Sequence, residues 1–532
     1  MLRQGVPLTV DVVIAGAGPN GLMLACELSL AGMQPVVLEQ LHERGESPKA
    51  NGVIGQVVRL LDHRGLYERL RGEPGAPQAI PAFLFGALPL NLSGLDANPM
   101  YGLGVPQRRL EQVLEERARE LGVELRRGHE LVRLDQREDG VTLRVRGPDG
   151  RYEMRTGYLV GCDGGHSTVR KQAGIGFPGV TAPDVTSRTG HVAIEGAQAV
   201  PGTVDLEVPG VGRIGMYAWQ RTEHGAYAIM PLPSGALTVS VMEWERPPTD
   251  DDAPMTTEEL RASLRRVLGA DLPITEPQAP GPHLLRRLVG RNTRLAETYR
   301  KDRVLLVGDA AHVHSAVGAP GLNLGLQDAA NLGWKLAAEV SGWAPPGLLD
   351  TYHTERHPAS ERVAMHSQAQ MALMAPGSGI TALRQVFGEL LQDKDTIQRI
   401  AGLMAGADVR YAAGAQNDEA AGHPLTGRFA PDLMLTTETG PARLADLMRN
   451  ARPLLLDLSG GTQLSTAAAG WKDRVDTVSA HCTDPPAHAL LIRPDGYVAW
   501  AATLDEPIEH LRNALGSALT TWFGTEWAGS TN

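Results

Sequence analysis

Cysteine is scarce in this chain: only Cys26, Cys162 and Cys482 occur among 532 residues, and no two of them form a CxxC pair. Three scattered thiols exclude a disulfide framework and a cysteine-based zinc site, and they fit a reducing cytoplasm. No metal site of another kind is expected. Long apolar runs are missing too, since none approaches the roughly 18 residues that a membrane-spanning helix needs. No block of five basic residues occurs, and 50 Lys and Arg are outnumbered by 61 Asp and Glu, for a net charge of −11. That balance argues against nucleic acid or an anionic membrane as the main partner. Internal repeats and long low-complexity tracts are also absent. The opening MLRQGVPLTV runs into a glycine turn without a small-residue cleavage site, so it reads as the start of a strand rather than a signal peptide. A chain of this length exceeds one core and divides into about three or four domains.

What the chain does have is an organising stretch at 9–40, TVDVVIAGAGPNGLMLACELSLAGMQPVVLEQ. The apolar run Val12 to Ala15 reads as a buried parallel strand. Gly16, Gly18 and Gly21 follow as GxGxxG, the residue type needed where backbone approaches phosphate with no Cβ in the way. The helix that follows, through Leu30, aims free N–H groups and its positive dipole end at that phosphate. A second apolar run closes on Glu39, about 20 residues on, where a carboxylate can accept both ribose hydroxyls. GxGxxG alone is a weak signal. Between a strand and a helix, with the acid at this distance, it specifies a dinucleotide site, and the spacing suits NAD and FAD equally.

Further along, 47–65 starts as a loop carrying Lys49, Asn51 and Gly52 and continues as a helix ending near Gly65. Residues 72–100, rich in Gly, Pro, Ala and Asn, read as an irregular, exposed excursion. An amphipathic helix follows Pro106, with Gln107 just before its first turn and Leu110, Val113, Leu114 and Leu121 on one side. Between about 180 and 280, alternating segments predict half-buried antiparallel strands, and Thr256 to Glu259 is a capping box opening one helix. The buried strand Val304 to Val307 ends at Gly308-Asp309, Gly321 opens a long helix, and more helix runs from Leu348 to about Leu403. The chain therefore reads as α/β. Residues 1–179 and 285–405 form two parts of a Rossmann-type dinucleotide-binding domain, 180–284 an inserted antiparallel-sheet substrate domain, and 428–532 a separate C-terminal unit.

Two acids share one kind of position. Asp163, in CDGGHSTVR, and Asp309, in VGDAAH, each end a strand and precede a helix. Either alone reads best as a helix N-cap. Both together, behind GxGxxG, are far more specific, and at this point the sequence resembles the class A FAD-dependent aromatic monooxygenases, which have the p-hydroxybenzoate hydroxylase fold. The resemblance spans about residues 8–400. It rests on GAGPNG with Glu39, on CDGGHSTVR, and on VGDAAHVHSAVGAPGLNLGLQDAANLGWKLA. Within that family the chain is most similar to bacterial aromatic polyketide tailoring hydroxylases, whose C-terminal thioredoxin-like domain corresponds to the unit after Arg428. Lacking CxxC, that unit carries no dithiol redox chemistry.

The resemblance implies FAD as cofactor and NAD(P)H as a transient reductant. It places Glu39 on the adenosine ribose, behind Gly16, Gly18 and Gly21, and Gln107 on the flavin side. Asp309 would bind the ribityl or pyrophosphate region. At the helix opened by Gly321, the backbone N–H groups of Leu322 and Asn323 would face the isoalloxazine. Asp163 is associated with both FAD and nicotinamide binding. The implied reaction is hydroxylation of a polycyclic aromatic polyketide by O₂ through a flavin C4a-hydroperoxide. Baeyer–Villiger or ring-opening oxygenation of a similar polyketide is the alternative. A halogenase would show WxWxIP, which is missing, and a non-catalytic nucleotide-binding scaffold would need neither acid. The chain also departs from the pattern. Lys49 and Asn51 stand where many relatives have a flavin-reaching arginine, Ser315-Ala316 replaces a loop proline, and Ala319-Pro320 replaces Gly-Gln. Those loops border the reacting face, so both oxygenation outcomes stay open.

No general base is assigned, and His312 and His314 read as hydrogen-bonded loop residues. On the inserted sheet, Tyr217, Trp219, Tyr227, Met230, Met242 and Trp244 are candidates to line a pocket for a flat substrate. Strand alternation would put about half of them in the core instead. Oligomerisation is left open.

Overall fold

The computed structural model describes residues 8–45, 50–232, 234–244, 253–278, 283–315, 317–318, 320–412, 422–461, 463–503 and 506–526. Strand Leu8–Ala15 lies at the centre of the first sheet, parallel to Val36–Glu39 on one side and to Gly150–Gly161 on the other. Val12, Val13 and Ile14 are fully buried, as a strand covered on both faces requires. The parallel strands run in the order Val304–Leu306, Gly150–Gly161, Leu8–Ala15, Val36–Glu39, Glu124–Arg127. Strand order therefore reverses beside Leu8–Ala15, and in open α/β sheets ligands bind outside the carboxyl ends of the strands at such a reversal. Gly16, Asp163 and Asp309 follow the carboxyl ends of three adjacent strands. Helix Pro320–Val340 packs closely on helix Pro19–Leu30, because Gly333 meets the Glu27 side chain where a Cβ would stand.

The second sheet runs Trp219–Arg221, Ala226–Pro231, Leu237–Trp244, Gly179–Ile194, Leu285–Leu295, His312–Val313. Helix Thr257–Leu268 covers one face, packing Leu260, Leu264 and Val267 on Tyr227, Ile229, Val239 and Val241. Thr256 caps this helix, its hydroxyl accepting from the Glu259 N–H at 3.1 Å, while the Glu259 carboxylate of the expected capping box bonds Arg188 and Arg287. The sheet continues past the expected boundary at 284. Leu285–Leu295 pairs along Gly179–Ile194, and its arginines hide the strand pattern in the sequence. Its far end pairs with His312–Val313, the residues just after the Asp309 turn.

The stretch 72–100 is not the exposed excursion expected. Ala82–Phe85 and Leu88–Asn91 form a hairpin closed by Gly86 and Ala87, both at positive φ (57° and 60°), the conformation of a tight two-residue turn. Phe85, Leu90, Leu92 and Met100 are buried against Leu373, Leu391, Ile397 and Met404.

In the C-terminal unit the core strands run Asp476–His481, Leu454–Asp457, Ala489–Ile492, Val498–Ala502. The first pair is parallel and the others antiparallel, which is the thioredoxin-like arrangement. The unit is docked rather than loosely linked. Trp471, Leu515, Trp522 and Phe523 share one core with Trp334, Ala338 and Leu348 of the first domain. Beside that core, Arg493 donates to both oxygens of Glu355 at 2.6 and 2.7 Å and to Asp495 at 2.5 and 3.1 Å. Arg64 clasps Glu27 at 2.6 and 2.8 Å and donates to the carbonyls of Met448 and Pro494. No described helix is long and apolar enough to cross a membrane.

Candidate active site

The three glycines of the first turn do different work. Gly16 stands at φ +107°, and a Cβ there would collide with the Cys162 carbonyl, 3.2 Å from the Asp163 nitrogen. A Cβ on Gly21 would strike the Gly16 carbonyl. Gly18, in contrast, faces open space and has ordinary extended backbone, φ −70°. Two glycines thus close the turn, and the third keeps clear a cradle in front of a helix N-terminus, where a pyrophosphate fits. Gly18→Val is therefore expected to lose bound cofactor yet melt like the cofactor-free wild type, whereas Gly21→Ala lowers the melting temperature of the cofactor-free protein as well. Stoichiometric flavin in purified Gly18→Val would contradict this.

Glu39 receives the Ala17 N–H at 2.8 Å and the Leu41 N–H at 2.9 Å, one on each oxygen. Each oxygen keeps a lone pair for a sugar hydroxyl. The Asn20 side-chain oxygen is buried without a hydrogen-bond partner among the described residues, beside Gly308 and Gly325. The cradle thus offers an unsatisfied acceptor as well as free N–H groups.

The two acids play unlike parts. Asp163 accepts from the Ser167 hydroxyl at 2.5 Å and the Val169 N–H at 3.0 Å, so both oxygens hold its own turn. Asp309 is exposed between buried Gly308 and Ala310, in a single 3₁₀ turn. The turns are joined by Arg170, which the sequence did not single out. It donates to the Ala310 carbonyl at 2.9 Å and the Gly165 carbonyl at 3.0 Å, and lies 3.7 Å over the Phe177 ring.

Behind Asp309, fully buried Asp328 accepts from His312 Nε2 at 2.7 Å and from Arg356 Nε at 2.7 Å. Arg356 continues to the Tyr411 hydroxyl at 2.9 Å. His312 is thus a buried loop anchor. His314 bonds the Ser315 carbonyl at 3.0 Å, and burial, helped by the neighbouring His312, brings its pKa down to about 4. Both are the hydrogen-bonded loop residues expected. Helix Pro320–Val340 begins one residue before Gly321, and the N–H groups of its first turn lie outside the helix's own hydrogen-bond ladder. The Asn323 side chain accepts from the Ile54 N–H at 3.1 Å, tying that turn to the loop after Asn51. Gln107 donates from its backbone to the Ala50 carbonyl at 2.8 Å and from its side chain to Glu111. Lys49, Ala316 and Ala319 lie outside the described residues.

Register sorts the six sheet candidates. Ala226 pairs with Met242 and Ala228 with both Ser240 and Trp219, so Trp219, Met230, Met242 and Trp244 share the face turned away from helix Thr257–Leu268. Trp219, Trp244 and Met242 meet Val317 and Met374 there. Tyr227 points the other way into the helix-side core, a correction set by strand phase, which alternation alone leaves undetermined. Tyr217 stands between strands at φ +64° and is 56% exposed. Met242 is sealed rather than lining open space. Where that face continues onto strand Leu285–Leu295 it is exposed. Leu288, paired with Ser187 as Met242 is, stays 48% exposed in the middle of the sheet. Among the described residues, no group of three His, Cys, Asp or Glu could hold a metal ion.

Comparison with known proteins agrees with this geometry. Residues 9–367 match the FAD binding domain family, and residues 423–525 match the family described as aromatic-ring hydroxylase, C-terminal. A 12-dehydrotetracycline 5-monooxygenase/anhydrotetracycline 6-monooxygenase of Streptomyces rimosus is 44% identical, over 97% of this chain and 99% of that protein. The structure of the anhydrotetracycline hydroxylase OxyS from Streptomyces rimosus superposes with a TM-score of 0.84 at 42% identity, covering 98% of this chain and 100% of that one. CabE, an aromatic hydroxylase from angucycline biosynthesis, gives 0.82 at 36% identity, covering 97% and 99%. Matched by both families along most of its length and 44% identical to a monooxygenase over 97% of it, the chain belongs to the FAD-binding aromatic-ring hydroxylase family and is an FAD-dependent monooxygenase.

Proposed function

We propose that the protein hydroxylates a polycyclic aromatic polyketide, consuming NAD(P)H and O₂. The observation that carries this reading is the face of the second sheet turned away from helix Thr257–Leu268, with partly exposed Trp219, Met230 and Trp244 and exposed Leu288 spread over its strands. A broad wall carrying two tryptophans, a methionine and a leucine suits fused rings better than a single small phenol. Bound FAD supplies the oxygen-activating chemistry, and the chain's own residues hold and shield it. Gly18 and the first turn of helix Pro19–Leu30 take the pyrophosphate, Glu39 the ribose, and exposed Asp309 the ribityl hydroxyls. Asp163 and Arg170 act through the turns they lock. The first turn of helix Pro320–Val340 would offer its positive dipole end to the flavin ring, where it would stabilise negative charge.

Purified protein is expected to be yellow and to oxidise NAD(P)H faster when an anhydrotetracycline-type polyketide is added. Mass analysis should then show one added oxygen with the ring skeleton intact. No stimulation by any fused-ring polyketide would end the substrate reading, and a cleaved ring would replace hydroxylation by oxygen insertion.

A further inference from the structure

Arg291 is a cation with no counter-ion in view. It sits on strand Leu285–Leu295, opposite Ala182, and its guanidinium donates to the Ser315 hydroxyl at 3.0 Å and the Met242 sulfur at 2.9 Å. Its Nε is buried without a hydrogen-bond partner, and no carboxylate of the described residues pairs with it. What sets it apart from Arg188 and Arg287 is the missing carboxylate: Arg188 binds Glu243 and Glu259 and Arg287 reaches Glu259 and the Ala253 carbonyl, while Arg294 binds the Phe177 carbonyl. Burial alone, with no charged neighbour contributing, brings the Arg291 pKa down to about 10. A guanidinium removed from water without an anion is costly, and such sites persist where a ligand brings the anion.

Its place says which ligand. Met242 lies on the sheet face that carries Trp219 and Trp244, and Ser315 belongs to the loop between the Asp309 turn and helix Pro320–Val340. Arg291 therefore stands at the root of the open wall, on the side nearest the cofactor loop. Val180, paired with Thr293 two residues along from the Ala182–Arg291 pair, is 61% exposed, so this end of the strand pair meets solvent.

We propose that Arg291 is an anion subsite of the substrate pocket, taking the ionised oxygen of an enolised 1,3-dicarbonyl or comparably acidic phenol on the aromatic substrate. The inference rests on the proposed polyketide reading and deepens it. A planar guanidinium presents paired N–H donors, which match the two oxygens of a delocalised 1,3-dicarbonyl anion. The same contact orients the fused rings by one edge, so Arg291 selects which carbon lies over the cofactor.

The test is binding to the oxidised holoenzyme, which needs no turnover and so stands apart from the hydroxylation assay. The probes are 2-hydroxy-1,4-naphthoquinone, ionised at neutral pH, and its uncharged 2-methoxy ether, followed by perturbation of the flavin spectrum. The wild-type protein is expected to prefer the anion by about tenfold or more, the scale of a charge-assisted hydrogen bond. Arg291→Met should remove the preference through loss of anion affinity, and Arg291→Lys should restore part of it while its flavin content confirms folding. Equal wild-type binding of both probes, no binding of the anion, or an unchanged preference in both variants overturns the proposal. So does loss of FAD in both variants with native far-ultraviolet circular dichroism, since that would make the cofactor the anion that Arg291 holds.

Discussion

Arg493→Met is expected to lower the unfolding free energy by about 3–5 kcal/mol, the cost of leaving a buried carboxylate without its cation. Arg493 is 1% exposed and pairs with Glu355 and Asp495, while its guanidinium lies 4.6 Å from the Trp522 ring centre and 5.0 Å from that of Tyr411. Without it, Glu355 keeps only Lys335 at 2.7 Å and Asn331 at 2.7 Å. Urea unfolding followed by tryptophan fluorescence measures the loss, and a midpoint equal to wild type would contradict it. Neutralising the acids as well, with Glu355→Gln and Asp495→Asn, should recover much of the stability, because removing a whole buried network costs less than breaking it. The pH dependence has a definite sign. Burial works to raise the Glu355 carboxyl, but the charges of Arg493 and Lys335 outweigh it and bring the pKa down to about 2 from an ordinary 4.5. A depressed carboxyl contributes stability above its unfolded value, so the wild-type protein loses that part as pH falls from about 4.5 toward 2. The methionine variant should show a shallower acid limb.

Asp328→Asn is the second large effect. Asp328 carries the only carboxylate described against buried Arg356, and it also receives His312 and, at 3.4 Å, the Gly308 N–H. The amide cannot balance Arg356, so a loss of about 3–5 kcal/mol is expected here too. The two arginine-centred sites differ in what else they disturb. Asp328 supports the turn that presents Asp309, so its variant should also lose flavin absorbance per chain. Arg493→Met, further from that turn, should keep its flavin while folded. An Asp328→Asn protein that retains full flavin and native stability would remove this link between the buried pair and the cofactor turn.

The parts of the site legible in the sequence were those encoded locally. GxGxxG, Glu39 and the two acid turns each lie within one strand-turn-helix, where hydrophobic period and glycine placement carry the information. Arg170 and Ala310 are 140 positions apart, and Arg493 and Glu355 138, so no local pattern could pair them. The side that Tyr227 takes is illegible for a different reason. Alternation shows that neighbours on a strand face opposite ways, but the phase is set by the partner strand and the covering helix. Hairpin Ala82–Phe85/Leu88–Asn91 and strand Leu285–Leu295 were missed because glycine and proline in one, and arginine in the other, mask short alternating runs. Both gain their order from distant packing rather than from propensity.

Leu285–Leu295 borders the pocket with one half and bonds His312–Val313 with the other. A guest resting on that wall and a nucleotide held at the Asp309 turn would therefore touch two ends of one hydrogen-bonded strand pair, with Leu285–Leu295 as the shared beam.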